Sequence, residues 1–135
     1  KLTTDQVAAL TSSQLQSLVT GTSGIGALTT DQIAALTTSQ IASLTTAQVQ
    51  SLTAGTNGQI AAMSSSQIRA LSVAQLAKLS TSQVQAIETA DLEAMSTSQI
   101  ASLSTSQVAN LTNNQVIGLT TTQARALTTS QIAKL

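Results

Sequence analysis

Aliphatic residues recur along this chain at a fixed interval of eight. Leu or a substitute opens a unit at Leu2, Leu10, Leu18, Leu28, Leu36, Leu44, Leu52, Met63, Leu71, Leu79, Ile87, Met95, Leu103, Leu111, Leu119 and Leu127, and Leu135 stands where the next would open. The consensus is Leu-Thr-Thr-x-Gln-Ile-Ala-x, and sixteen such units fill residues 1–135 as a single array. Internal repetition of this kind bears on fold class ahead of any local motif. With the opening Leu as position zero, position one is Thr or Ser in fourteen units, the exceptions being Val19 and Glu88. Position four is Gln in fourteen units, Gln59 among them, and Asp91 replaces it once. Position five is Ile, Val or Leu except at Ala124. Position six tolerates Ala8, Gln16, Arg69, Glu93 and Ile117, as a solvent-facing position does.

One straight helix does not fit this pattern. Eight residues at about 100° each carry the Leu stripe about 80° around the axis per unit, whereas heptads nearly close whole turns. A simple strand fits poorly too, because positions zero and five differ by an odd number and would face opposite sides. Short helices fit both rows. Thr or Ser at one with Gln at four is the capping box, which satisfies two free N-terminal amides reciprocally. Thr29 with Gln32, Thr37 with Gln40 and Ser104 with Gln107 are clear instances. The aliphatic residues at zero and five stand at N′ and N4, the spacing of the hydrophobic staple. The pattern predicts an all-α solenoid, a superhelix of short capped helices with one helix per unit. Leu36, Ile41, Leu44, Leu103, Val108 and Leu111 are its expected core. Helices this short do not survive alone, since nucleation is costly; stacking of successive turns must hold them. A β-solenoid buried on both faces is the alternative.

Two units are expanded, at residues 18–27 and 52–62, and both contain Gly-Thr-x-Gly, at Gly21 to Gly24 and at Gly55 to Gly58. Glycine permits positive φ, so these glycines are expected in tight bulges that keep the array in phase. The two units start 34 residues apart without a third insertion, so that interval is not established as a higher period. The array is expected to coil differently on the two sides of Met63. Gly21, Gly24 and Gly26 lack the strand before and the Lys after that a phosphate loop needs.

Composition narrows the chemistry. Phe, Trp, Tyr, His, Cys and Pro are absent, and five cations balance five anions. Without His or Cys there is no disulfide framework, zinc site or thiol nucleophile, and no base–nucleophile pair is visible. No catalytic residue, cofactor, metal or small-molecule substrate is expected. Neutral charge without aromatic platforms argues against nucleic acid as a partner. Apolar runs reach about four residues, against the ~20 of a spanning helix, so membrane insertion is not expected. Lys1 in place of an initiator Met gives the chain the look of a processed or excised piece.

The remaining polar features have plain structural readings. Glu88, Asp91 and Glu93 form the one acidic cluster, and negative charge near a helix start is favourable in itself. Arg69, Lys78, Arg125 and Lys134 occupy positions six or seven and would share an edge if units stack in register. Asn110-Leu111-Thr112 matches a glycosylation sequon but also falls at a helix cap. The Gln row can form amide ladders on top of its capping role. The Thr/Ser row can present a flat hydroxyl surface of the ice-binding kind.

Octads such as Leu28-Thr29-Thr30-Asp31-Gln32-Ile33-Ala34-Ala35 and Leu103-Ser104-Thr105-Ser106-Gln107-Val108-Ala109 resemble the L-T-T-x-Q-I-A-x arrays of very large, repetitive, adhesin-like bacterial surface or secreted proteins. The resemblance implies a structural protein at the cell surface or outside the cell, a self-assembling filament or the rod-like stalk of an adhesin. Its expected partner is itself, head to tail or laterally. The octad also looks like the first helix of repeats in transcription-activator-like DNA-binding effectors, but the second helix and base-reading residues of those repeats are missing. Two further readings are a solenoid module that binds protein, glycan or ice, and a functional amyloid-like fibre, which Gln, Thr and Val without Pro would suit.

Overall fold

A computed structural model describes residues 2–21 and 23–135; the expectations drawn on Lys1 lie outside them, as does Thr22 in the first Gly-Thr-x-Gly. Fourteen α-helices of four to six residues occur among the described residues, one in each of the fourteen unexpanded units. There is no strand among them, which overturns the β-solenoid. The physical reason is local. In thirteen of the helices the residue at position one caps the helix and the Gln at position four returns the bond, a commitment to helix that no strand ladder can match. Thr37 Oγ1 accepts from the Gln40 amide at 3.2 Å while Gln40 Oε1 accepts from the Thr37 amide at 2.8 Å. Thr29 with Gln32 and Ser104 with Gln107 do the same.

Each helix ends as abruptly as it begins. The opening aliphatic of the next unit leaves the helical region, as at Leu44 with φ −57° and ψ 140°. The following hydroxyl residue is extended, and a new helix starts. The chain therefore bends at every unit and winds into a superhelix.

Side-chain burial shows how its turns stack. Position five is fully buried from Val7 through Val108, whereas in the last turn Val116 is half-buried and Ile132 exposed. Position zero behaves in reverse: Leu2 is exposed, Leu10, Leu18 and Leu28 are half-buried, and Leu36 onward to Leu103 are buried. Position five is thus covered by the turn that follows it and position zero by the turn that precedes it. Leu36, Ile41, Leu44, Leu103 and Val108 lie in the resulting core, and Leu111 packs against it half-buried.

The expanded units keep this frame by looping residues out of the capping box. In the Leu52 unit the Thr53 and Gln59 bonds persist at 2.9 Å although six residues separate them, and the Ile60 amide still reaches the Thr53 carbonyl. In the Leu18 unit the Ile25 amide reaches the Val19 carbonyl, and residues Ile25–Ala27 form a short 3₁₀ turn. Gly21 and Gly55 take positive φ, 86° and 100°. Gly24 and Gly58 are required by space: a Cβ on Gly24 would lie 1.7 Å from the Val19 carbonyl oxygen, and one on Gly58 2.6 Å from those of Thr53 and Ala54. Gly24→Ala is expected to destabilise the array by about 1–3 kcal/mol, read as a lower urea midpoint by circular dichroism. An unchanged midpoint would show that the loop relaxes freely.

Candidate functional site

The Gln row sets the pitch of the superhelix. Its Oε1 is engaged in the capping box, and its Nε2 reaches across to the preceding turn. Gln40 Nε2 donates to the carbonyls of Val7, Ala8 and Leu10 at 3.1, 3.2 and 2.7 Å. Val7 and Ala8 belong to the unit that opens at Leu2, which Leu10 bounds, and the units at Leu10, Leu18 and Leu28 lie between it and the Leu36 unit that holds Gln40. The same step holds from Gln48 to Leu15 and Leu18, from Gln75 to Ile41 and Leu44, and from Gln131 to Ile100 and Leu103. Four units therefore make one turn, on both sides of Met63, which corrects the expected change of coiling there. Gln does not stack on Gln; from Gln32 onward each row amide forms a rung to backbone carbonyls instead. Twelve of these side chains are buried, and no buried side-chain nitrogen or oxygen among the described residues lacks a partner. A buried amide must be satisfied in this way, because leaving it unpaired costs roughly 1–3 kcal/mol.

A four-unit turn sorts the units into four columns, and one column holds the departures from consensus. Units opening at Leu18, Leu52, Ile87 and Leu119 stack on one another. Both insertions lie there, as do Val19 and Glu88 at position one, Asp91 at position four and Ala124 at position five. The 34-residue interval between the insertions is one superhelical turn. The four-unit step also scatters the cations: Arg69 and Lys134 share a column two turns apart, while Lys78 and Arg125 occupy two others, so the expected common edge does not form. Asn110 Nδ2 donates to the Ser106 carbonyl at 2.8 Å, and Thr112 of the sequon is a cap.

The irregular column is where rungs are lost. Glu88 makes no side-chain cap bond. Asp91 has no N–H to offer; it accepts from Ser65 Oγ, and the Ile60 and Met63 carbonyls receive no rung. Beside this gap runs a surface groove of about 740 Å³. It is lined by Gly55 and Thr56 of the second expanded unit, by Glu88, Thr89 and Ala90, and by Ser82, Gln85 and Asn114. The described residues include no group of three or more His, Cys, Asp or Glu placed to hold a metal, and no helix long and apolar enough to cross a membrane. Asp91→Gln is expected to complete the rung and raise stability by about 1–2 kcal/mol, two hydrogen bonds at ordinary net value. Calorimetric melting checks it, and no gain would place the two carbonyls out of reach.

Short capped helices knitted turn to turn define an open α-solenoid, a repeat protein stabilised by contacts between neighbouring turns. The chain belongs to the ALTTAQ repeat family, whose model matches three times, at residues 21–54, 56–87 and 84–121. No curated protein and no solved structure matches it.

Proposed function

We propose that this chain is a structural rod, a segment of a surface filament or of the stalk of a larger adhesin-like protein. The observation that carries the reading is the rung system: every turn is fastened to the preceding one by side-chain bonds directed along the superhelix axis. Such an array lengthens without redesign, because each added turn repeats the same packing and the same bonds. The extracellular, bacterial setting comes from the resemblance to adhesin-like arrays. Duplicating residues 71–102, four whole units, tests the rod directly. Small-angle scattering is expected to show the maximum dimension growing by one turn with an unchanged cross-section. Growth in the cross-section would refute it. Antibody labelling of intact cells tests the surface setting, and signal only after lysis would refute that part.

A second reading is a binding module, favoured by the confinement of both insertions to one column, beside which the groove runs. Insertions in repeat arrays commonly map to one face, often the binding face. Peptide and glycan arrays would be probed with the native chain and with Ala90→Arg, which fills the groove. Signal that the variant loses supports the reading, and silence from both removes it.

A further inference from the structure

We propose that the irregular column holds a calcium-type cation site, in which the ion takes the place of the missing rung between Asp91 and the preceding turn. The inference stands apart from the rod and binding-module readings. One turn earlier in the same column, Gln59 Nε2 donates to the Ile25 and Leu28 carbonyls at 3.0 and 2.7 Å. One turn later, Gln123 Nε2 donates to those of Leu92 and Met95 at 2.9 and 2.8 Å. Between them the same four-unit step sets Asp91 against Ile60 and Met63, and Asp91 has no N–H. The Met63 carbonyl accepts no bond among the described residues, and that of Ile60 accepts only the Met63 amide. Asp91 is 7% exposed, and the bond from Ser65 Oγ to Oδ1 is the only one to its carboxylate among the described residues. Every buried side-chain oxygen among those residues has a partner, so Oδ2, which takes no bond, is open to solvent.

Acceptors therefore meet with no donor to spare, because Ser65 Oγ already gives its hydrogen to Oδ1. A buried carboxylate is ordinarily paired with a cation or coordinates a metal. Water could donate to both Oδ2 and the Met63 carbonyl, but it would leave the charge uncompensated. Size points the same way. Asp is one methylene shorter than Gln, roughly 1.5 Å of reach. Added to the 2.7–2.8 Å of the neighbouring rungs, this sets carboxylate and carbonyl roughly 4 Å apart. Two oxygens that share a calcium ion at about 2.3–2.6 Å each have that spacing. Calcium takes carboxylate, main-chain carbonyl and water oxygens in irregular geometry, whereas magnesium demands a near-ideal octahedron. Water from the groove completes the shell. The groove lining includes Ala61, next to Ile60, and Glu88, at the N-cap of the helix that carries Asp91.

Thermal melting of the chelator-stripped chain in calcium, magnesium or sodium chloride at matched ionic strength tests the proposal. The midpoint is expected to rise with calcium alone, with an apparent dissociation constant of about 10⁻⁴–10⁻³ M, the range of weak extracellular sites. Equilibrium dialysis is expected to find one calcium per chain. Asp91→Gln supplies the rung, so this variant folds without the ion, as circular dichroism checks. Its calcium binding is expected to weaken at least about tenfold, since even partners behind a ligand are worth that much. Asp91→Asn, which keeps the shape without the charge, is expected to lose binding as well. Glu88→Gln with Glu93→Gln removes the exposed carboxylates nearby and is expected to leave binding in place. No calcium response up to about 10 mM overturns the site. An equal shift in all three salts also overturns it, because that is charge screening. Binding kept by Asp91→Gln but lost with the Glu88 and Glu93 pair overturns it too, as an adventitious ion on the exposed carboxylates only.

Discussion

Gln75→Glu is expected to cost about 3–5 kcal/mol at neutral pH, the range for a buried charge left without its partner. The substitution separates the two tasks of the residue. A carboxylate oxygen can still accept from the Ser72 amide, as Gln75 Oε1 does at 2.7 Å. The other oxygen faces the carbonyls of Ile41 and Leu44, which Gln75 Nε2 reaches at 3.1 and 2.7 Å. Two carbonyls and a carboxylate then oppose one another at a site only 3% exposed. Protonation relieves this by supplying an O–H donor, so the folded state raises the pKa of the new side chain. The sign follows from proton linkage: the folded state binds the proton more tightly, so stability is greatest below the ordinary glutamate value of about 4.3 and falls as pH rises through the raised one. Urea midpoints of native and variant chains across pH check this. A variant as stable as the native chain at neutral pH would show that the rungs carry no net free energy.

Ile68→Ala is expected to lose about 2–5 kcal/mol, the cost of deleting buried methylenes and leaving a cavity. Ile68 is fully buried at position five, covered by the turn that follows it. Ile132, at the same position in the last unit, is 52% exposed, and Ile132→Ala is expected to change stability by less than about 0.5 kcal/mol. The pair isolates stacking from helix propensity, because the octads around the two residues are nearly the same. Thermal unfolding by circular dichroism measures both. Equal losses would mean that position five acts within its own helix and not through the neighbouring turn.

Much of the helical framework was legible because its determinants are local. A cap and its partner stand three residues apart, as Thr37 and Gln40 do, and that spacing carries the same geometry wherever the unit occurs. The meaning of the irregular units was harder to see. Val19, Glu88, Asp91 and Ala124 look like scattered exceptions in linear order, and the loops at Gly21 and Gly55 share a motif but their 34-residue interval has no evident meaning. They fall into one column only when the number of units per turn is known. Octad periodicity is silent on that number.

The sequence by itself determined that the chain is made of short helices, where each begins, and which two rows of aliphatic residues must be hidden. Tertiary structure decided that four units close a turn, that Gln Nε2 spans the turns, and that the groove lies beside the missing rung. The division has a physical cause. Capping bonds join residues three apart and depend on backbone geometry that a few neighbouring side chains specify. Rungs join residues some thirty positions apart, as Gln67 and Leu36 are, and exist only after the superhelix has closed on itself.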